Sequence, residues 1–279
     1  MKICYACQNN SFKIDKIREE AIIEKNIVGW KVKRGEYTAA PKDFVPFLIG
    51  IREKIPENFD TKSELKLGIK YANRWIFYWA ANKESSYKIK KAPDAYGVNY
   101  TNMGITKSDN KGKIIFKLEC PQPYSVNGKT YYPHIHFMIS NKENENWELK
   151  VRTINIICNF TKEKVKDAIK NKSYLLINAL PKEYFEKQHI PNSVNLYYKD
   201  AIDMTDKKID NFIKNNLNYL NNDLKKLIDN KKLSIKDIPI LVYCYSKSCD
   251  AGKNLIKRLN KANYHKIVEY EDGVTGFFK

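Results

Sequence analysis

The stretch Leu241-Val-Tyr-Cys-Tyr-Ser-Lys-Ser-Cys-Asp-Ala-Gly-Lys253 decides how this chain is read. An apolar run of β type, Ile238 to Tyr243, stops at Cys244, and a loop of small and polar residues follows. A helical pattern then begins with Leu255, Ile256 and Leu259. Strand, cysteine, tight loop, helix: this order sets a sulfur at a sheet edge, facing the unpaired N–H groups and positive dipole end of a helix. Such surroundings favour thiolate, so the expectation for Cys244 is a pKa drawn below about 8.5, towards neutrality. Cys244 is then a nucleophile. The amides of Tyr245, Ser246, Lys247, Ser248, Cys249 and Asp250 would curl around the group it attacks. An inert cysteine buried at a strand end is the competing reading.

Outward from that loop the pattern alternates strands with helices. Thr161-Lys-Glu-Lys-Val-Lys-Asp-Ala-Ile-Lys170 has helical spacing behind an N-cap threonine, and Tyr174 to Ile177 reads as a short buried strand. One long helix is expected from about Asp206 to Asp229, with an apolar stripe at Ile209, Phe212, Ile213, Leu217, Leu220, Leu224 and Leu227. Alternation of this kind implies a parallel sheet with helices on both faces, in a domain covering residues 159–279.

Three separated motifs in this region resemble rhodanese-type sulfurtransferases. The loop at Cys244 is similar to that family's active-site loop. Leu175-Leu-Ile-Asn-Ala-Leu-Pro-Lys-Glu-Tyr184 and His189-Ile-Pro-Asn-Ser-Val-Asn-Leu196 resemble its first strand and "HIPGAIN" turn. Asn263-Tyr-His-Lys-Ile-Val-Glu-Tyr-Glu-Asp-Gly-Val274 resembles its closing strand and turn. The resemblance implies a sulfurtransferase that holds sulfur on Cys244 as a persulfide. It passes that sulfur from a small-molecule or protein donor to an acceptor, with no cofactor. Lys247 is the cation of the loop, and the arginine common in thiosulfate-using members is absent, which argues for another donor. Asn178 and Leu180 stand where the family has the Asp and Arg of its "DVR" segment. Cys249, in the same loop, either resolves a species on Cys244 as a disulfide or is simply a small loop residue.

Residues 1–158 read differently. Short strands are expected at Arg74 to Ala80, Ile114 to Leu118, Tyr132 to Ser140 and Trp147 to Ile157, with Asp109-Asn-Lys-Gly112 as a turn. Without a long amphipathic helix between them, an all-β sandwich is the expected architecture. Inside it lies Pro133-His-Ile-His-Phe137. Residues i and i+2 of a strand share a face, so His134 and His136 would present their rings together, close enough to share a metal.

The surroundings of this pair, Trp79 to Tyr87, Gly104 to Lys117, Pro121-Gln-Pro-Tyr124 and His134-Ile-His136, resemble the core of the intradiol ring-cleavage dioxygenases. That family's "WQANAAGRY", "PxPY" and "HIHF" segments supply two tyrosines and two histidines to Fe(III). The resemblance therefore implies Tyr87, Tyr124, His134 and His136 as ligands in a prealbumin-type sandwich. Where the family carries an arginine before "PAHIHF", this chain has Tyr131 and Tyr132. The joint expectation is a sulfurtransferase coupled to a dioxygenase-like iron domain. The alternatives are a non-catalytic partner-binding sandwich, or an intradiol-type dioxygenase regulated by its rhodanese domain.

Composition narrows the classes. The 279 residues carry a formal net charge of +18. Arginine occurs only at positions 18, 34, 52, 74, 152 and 258, so lysine supplies nearly all the basic residues. Lysine clusters such as Lys88-Ile-Lys-Lys91 read as solvated faces, and no specific nucleic-acid partner is expected. No segment has the length or apolarity of a membrane span, and the first residues lack a signal-peptide core. Six cysteines at irregular spacings do not form a secreted disulfide framework, so an intracellular setting is expected. Cys4 and Cys7 form a lone Cys-x-x-Cys, Ile14 to Ile23 is weakly helical, and Phe44 to Ile51 is an apolar run. Composition leaves the oligomeric state open.

Overall fold

The computed structural model describes residues 18–21, 45–148 and 150–279. The Cys4–Cys7 pair and most of the Ile14 to Ile23 segment lie outside them. The described residues form two compact units, one of those up to 85 together with 89–156, the other of 86–88 and 157–279.

The first unit is built on a five-stranded antiparallel sheet. Its strands are β1 (Arg18–Ala21), β3 (Trp75–Ala80), β5 (Met103–Lys107), β9 (His134–Ile139) and β10 (Lys150–Asn155), in the order β1-β10-β9-β3-β5. Arg18–Ala21 is thus a strand paired with β10, not the helix expected there: ladder hydrogen bonds outweigh a weak local helical periodicity. Two smaller sheets complete the unit. One pairs β2 (Thr61–Lys66) with β6 (Lys113–Leu118). The other joins β4 (Lys90–Lys91), β7 (Tyr124–Val126) and β8 (Lys129–Tyr131). The expected turn before β6 forms, with Gly112 at φ +73 donating its amide to the Asp109 carbonyl at 3.0 Å.

β9 is central to its sheet, and every residue of His-Ile-His-Phe-Met-Ile is buried. Its register sets His136 between Trp79 on β3 and Thr153 on β10. A short helix, α1 (Ala92–Tyr96), starts beside Pro93 and ends before Gly97, the usual punctuation of a helix. Ala92, Ala95 and Tyr96 pack with Phe77, Trp79, Tyr124 and Met138 in one apolar cluster.

The second unit is a parallel sheet with helices. Its strands are β11 (Cys158–Asn159), β12 (Leu175–Asn178), β13 (Ser193–Asn195), β14 (Ile240–Tyr243) and β15 (Ile267–Tyr270), ordered β11-β15-β14-β12-β13. β12, β14 and β15 are buried along their whole length, as strands covered on both faces must be. The helices are α2 (Lys162–Asn171), α3 (Lys182–Lys187), α4 (Tyr198–Asp203), α5 (Asp206–Asn215), α6 (Asn222–Asp229), α7 (Ala251–Lys261) and α8 (Gly273–Phe278). Thr161 caps α2 by accepting from the Lys164 amide.

The single long helix expected from Asp206 to Asp229 is two. The chain leaves α5 at Asn216, makes a 3-10 turn at Leu217–Tyr219, and restarts at Asn221. There the Asn221 side chain accepts the Leu224 amide at 2.9 Å, so asparagine acts as a cap instead of continuing the helix. The apolar stripe survives the break: Ile209, Ile213, Leu220 and Leu224 are buried, with Phe212, Leu217 and Leu227 packed against the same core.

Candidate functional site

β14 is the middle strand of its sheet and carries the chain directly into Cys244. Tyr243, the last strand residue, anchors the turn at Ile190. The Ile190 amide donates to the Tyr243 hydroxyl at 3.0 Å, and that hydroxyl contacts Ser193 Oγ at 2.7 Å. Ser193 in turn donates to the Ile190 carbonyl. Asn192 sits at φ +60, a left-handed conformation that asparagine tolerates better than most side chains.

The loop is held from the other side by α8. Val274 N–H donates to the Cys244 carbonyl and Thr275 N–H to the Tyr245 carbonyl, each at 3.0 Å. Gly273 makes this approach at φ +58. A Cβ there would lie 2.4 Å from the Cys244 oxygen. Only glycine fits both the conformation and the space.

Within the loop, the Cys249 amide donates to the Ser246 carbonyl at 2.9 Å, and the two serine hydroxyls of Ser246 and Ser248 meet at 3.1 Å. Tyr245, Lys247, Ser248 and Asp250 are exposed, while Ser246 and Cys249 are half-buried. Cys244 itself is 2% exposed and belongs to the apolar core with Ile177, Val242, Ala251 and Leu255. Its thiol donates to the Cys249 carbonyl at 3.0 Å and lies 3.6 Å from the Ser246 carbonyl.

The amides of Gly252 and Ser246 face the sulfur and favour its thiolate, as expected. The net effect is nevertheless opposite to the expectation. Burial, reinforced by the neighbouring Cys249 thiol, pushes the Cys244 pKa up to about 12. Two amide dipoles do not offset the loss of water around a charged sulfur. The resting residue is a protonated thiol, seated where its amides await charge.

One further group lies under the loop. Glu269 on β15 is 3% exposed, and its Oε1 occupies the space that a side chain on Gly252 would need, 2.9 Å from a Cβ there. Burial raises its carboxyl pKa to about 7; Lys253 opposes that rise, while Glu271 and Asp250 add to it. Sequence reading passed over Glu269 because it sits in an ordinary-looking strand. Its signal was a lone acid in the buried run Ile267 to Tyr270.

In the first unit three of the four expected metal ligands converge. Tyr124 Oη lies 2.9 Å from His134 Nε2, and the two histidine Nε2 atoms are 3.2 Å apart. His134 Nδ1 contacts the Tyr132 carbonyl at 2.6 Å, so that nitrogen carries the proton and Nε2 presents its lone pair. His136 Nδ1 is held by Thr153 Oγ1 at 2.8 Å. Both rings are buried, at 3% and 6% exposure.

Tyr87 is not part of this cluster. Residues 86–88 group with the second unit, where Tyr87 packs against the apolar core and its carbonyl accepts from Lys266. Tyr96, which sequence reading missed, brings its hydroxyl to 3.3 Å from that of Tyr124. The Pro93 and Gly97 bracket around α1 was the available signal. Donors bonded to one ion at about 2.0–2.1 Å, and 90–110° apart, stand about 3.0–3.4 Å from each other. The three consecutive contacts Tyr96–Tyr124, Tyr124–His134 and His134–His136, at 3.3, 2.9 and 3.2 Å, are close to that size. Among the described residues no group of three or more His, Cys, Asp or Glu gathers, so tyrosines would have to complete such a set.

Comparison with known proteins bears on the second unit. No curated protein matches the chain. A crystal structure of a Bacillus halodurans protein shares 16% identity, covering 43% of this chain and 70% of that one, with a TM-score of 0.29. A rhodanese-related protein from Thermoplasma volcanium shares 14% identity, covering 43% and 89%, with a TM-score of 0.28. Neither the comparisons nor the strand pattern supports an intradiol dioxygenase relationship for the first unit. Residues 161–279 match the family of rhodanese-like domains.

Proposed function

We propose that the rhodanese-like domain is a sulfurtransferase that carries a sulfane sulfur on Cys244. The observation that carries this reading is the seat of the sulfur itself. Cys244 Sγ ends the central strand inside a six-residue loop, with the Gly252 and Ser246 amides facing it. Cys244 attacks the outer sulfur of a donor and gives up its proton as it does so; the Sγ–S bond forms, and the donor's leaving group departs with the electron pair and takes up that proton. Charge then resides on the added sulfur, beside the Gly252 and Ser246 amides that already face Sγ, so little reorganisation is needed. An acceptor thiolate or cyanide takes that sulfur and restores the thiol. Exposed Lys247 attracts anionic donors at the loop's outer face. No cofactor is needed for these steps.

The test is turnover with glutathione persulfide as donor and cyanide as acceptor, read as thiocyanate. Wild type should turn over and Cys244→Ser should not. Equal background rates in both would reject the assignment. Lys247→Ala should raise KM more than it lowers kcat.

A second reading concerns the first unit and is favoured by the convergence at His134 and His136. A ferric or similar metal ion would be held there by Tyr124, His134 and His136, with Tyr96 as fourth donor. The ion would supply a Lewis-acidic, redox-active centre, for which two phenolates and two imidazoles are a suitable donor set. The chain's own contribution is orientation: the Tyr132 carbonyl fixes the His134 tautomer and Thr153 holds the His136 ring. Catechol cleavage does not belong to this reading, because Tyr131 and Tyr132 occupy the place of the family's arginine.

A further inference from the structure

The sulfur proposed to carry the persulfide lies below the loop surface. Cys244 is 2% exposed, so the inner sulfur of a persulfide formed there is shielded from bulky thiols in solution. One thiol is already inside. Cys249 is half-buried and packs against the same apolar core. Its backbone is drawn inward by the bond from its amide to the Ser246 carbonyl. Its own carbonyl lies 3.0 Å from Cys244 Sγ. Cys244 and Cys249 are the free cysteines among the described residues.

We propose that Cys249 is a resolving thiol, giving the domain a second outcome besides transfer: release of the carried sulfur as hydrosulfide. This rests on the assignment of a persulfide to Cys244. Cys249 Sγ, as thiolate, attacks Cys244 Sγ. The Cys244–Cys249 disulfide forms and the bond from Cys244 to the sulfane sulfur breaks. That sulfur leaves with the electron pair, takes up a proton, and becomes hydrosulfide. The carried sulfur is the oxidant: it is reduced to sulfide while the two cysteines are oxidised, so nothing else is consumed. Two equivalents of a small thiol, or one of a dithiol reductant, return the pair to thiols and allow another cycle.

Position favours this route over an external acceptor. Attack within one short loop, by a cysteine five residues from its target, gains from proximity. The neighbouring Cys249 thiol also contributes to holding Cys244 protonated at rest, an effect that needs the two sulfurs close together. An acceptor that reaches the outer sulfur first draws it off by transfer; without one, the pair closes. The loop thereby senses whether an acceptor is present.

The experiment loads full-length protein anaerobically with glutathione persulfide, removes excess by rapid desalting, and follows intact mass and hydrosulfide over time. Wild type should pass from a species heavier by one sulfur to one lighter than the starting protein by two hydrogens, releasing one equivalent of hydrosulfide. Its Cys244 and Cys249 should map to a disulfide. Cys249→Ser should keep the added sulfur about tenfold longer or more. If both proteins hold the sulfur equally long, the resolving role is wrong while the persulfide assignment stands. If neither protein gains sulfur or forms the disulfide, both fall. Tryptic mapping of wild type alone gives an independent reading, since a persistent persulfide on Cys244 beside a free Cys249 thiol also overturns the proposal.

Discussion

The amide of Val274 donates to the carbonyl of Cys244 over 3.0 Å, tying the end of the sulfur-bearing strand to the start of the last helix. Gly273 permits that contact by adopting φ +58 with its α-carbon pressed towards the Cys244 carbonyl. Gly273→Ala should therefore do two things. It should destabilise the domain by about 1–3 kcal/mol, the usual cost of a strained backbone position, and it should impair sulfur loading more than global unfolding explains. Thermal denaturation with a single-turnover loading assay checks this; an unchanged midpoint and loading rate would contradict it.

Tyr243→Phe should test the anchoring of the Ile190 turn. The substitution leaves the Ile190 amide and the Ser193 hydroxyl without the phenol at 3.0 and 2.7 Å. The expected loss is about 1–3 kcal/mol, that of buried polar groups deprived of a partner. Urea denaturation measures it, and a loss near zero would show that the turn is held by other contacts.

Glu269 makes stability depend on pH in a defined direction. Its folded pKa, about 7, lies above the ordinary carboxyl value because burial disfavours the charge. The folded state thus binds the proton more tightly. This contribution is full below about pH 4, starts to fall above the ordinary carboxyl pKa, and is gone once pH has passed through about 7. Its size is about 3 kcal/mol. Glu269→Gln removes it, so the stability gap between wild type and variant should move in the variant's favour by about that amount from pH 4 to pH 8. A gap that stays constant across this range would refute the assignment.

Cys244 and Cys249 should differ sharply towards alkylation. Cys244 is buried and its thiol is held at about 12, so iodoacetamide at neutral pH should modify Cys249 first. Cys244 should follow only as pH rises well above neutrality, because burial holds its thiol protonated. Peptide mapping over a pH series decides, and early labelling of Cys244 would contradict the buried, protonated resting state.

For the first unit, ferric ion added to metal-free protein should give a visible tyrosinate-to-metal absorption. Tyr124→Phe and Tyr96→Phe should each weaken and shift the band, and Tyr87→Phe should leave it in place. Loss of the band only in Tyr87→Phe would reverse the ligand assignment drawn from the Tyr96–Tyr124 contact.

Much of the second unit is legible before any coordinates are known. The apolar run into Cys244 and the capped start at Thr161 are local signals, and local physics decides them. What eluded sequence reading is tertiary. The thiol pKa depends on burial in an apolar core that also holds Ile177, Val242 and Leu255, and periodicity places residues in a core without saying which groups are buried with them. The break at Asn221 was written in the asparagines of Asn215 to Asn222, yet the continuous apolar stripe concealed it. In the first unit, strand alternation placed His134 and His136 on one face, and their Nε2 contact follows directly. Motif spacing chose Tyr87 where the fold brings in Tyr96, because spacing along a chain says nothing of where the connecting segment travels.

Every proposed step of sulfur transfer begins with Cys244 accepting sulfur. Protein exposed to radiolabelled sulfane sulfur from glutathione persulfide, quenched within one turnover and mapped by peptide, should carry the label at Cys244 in the Cys249→Ser background. Cys244→Ser should carry none. Label spread evenly over other cysteines, or absent from the peptide spanning Tyr243 to Lys253, would contradict it.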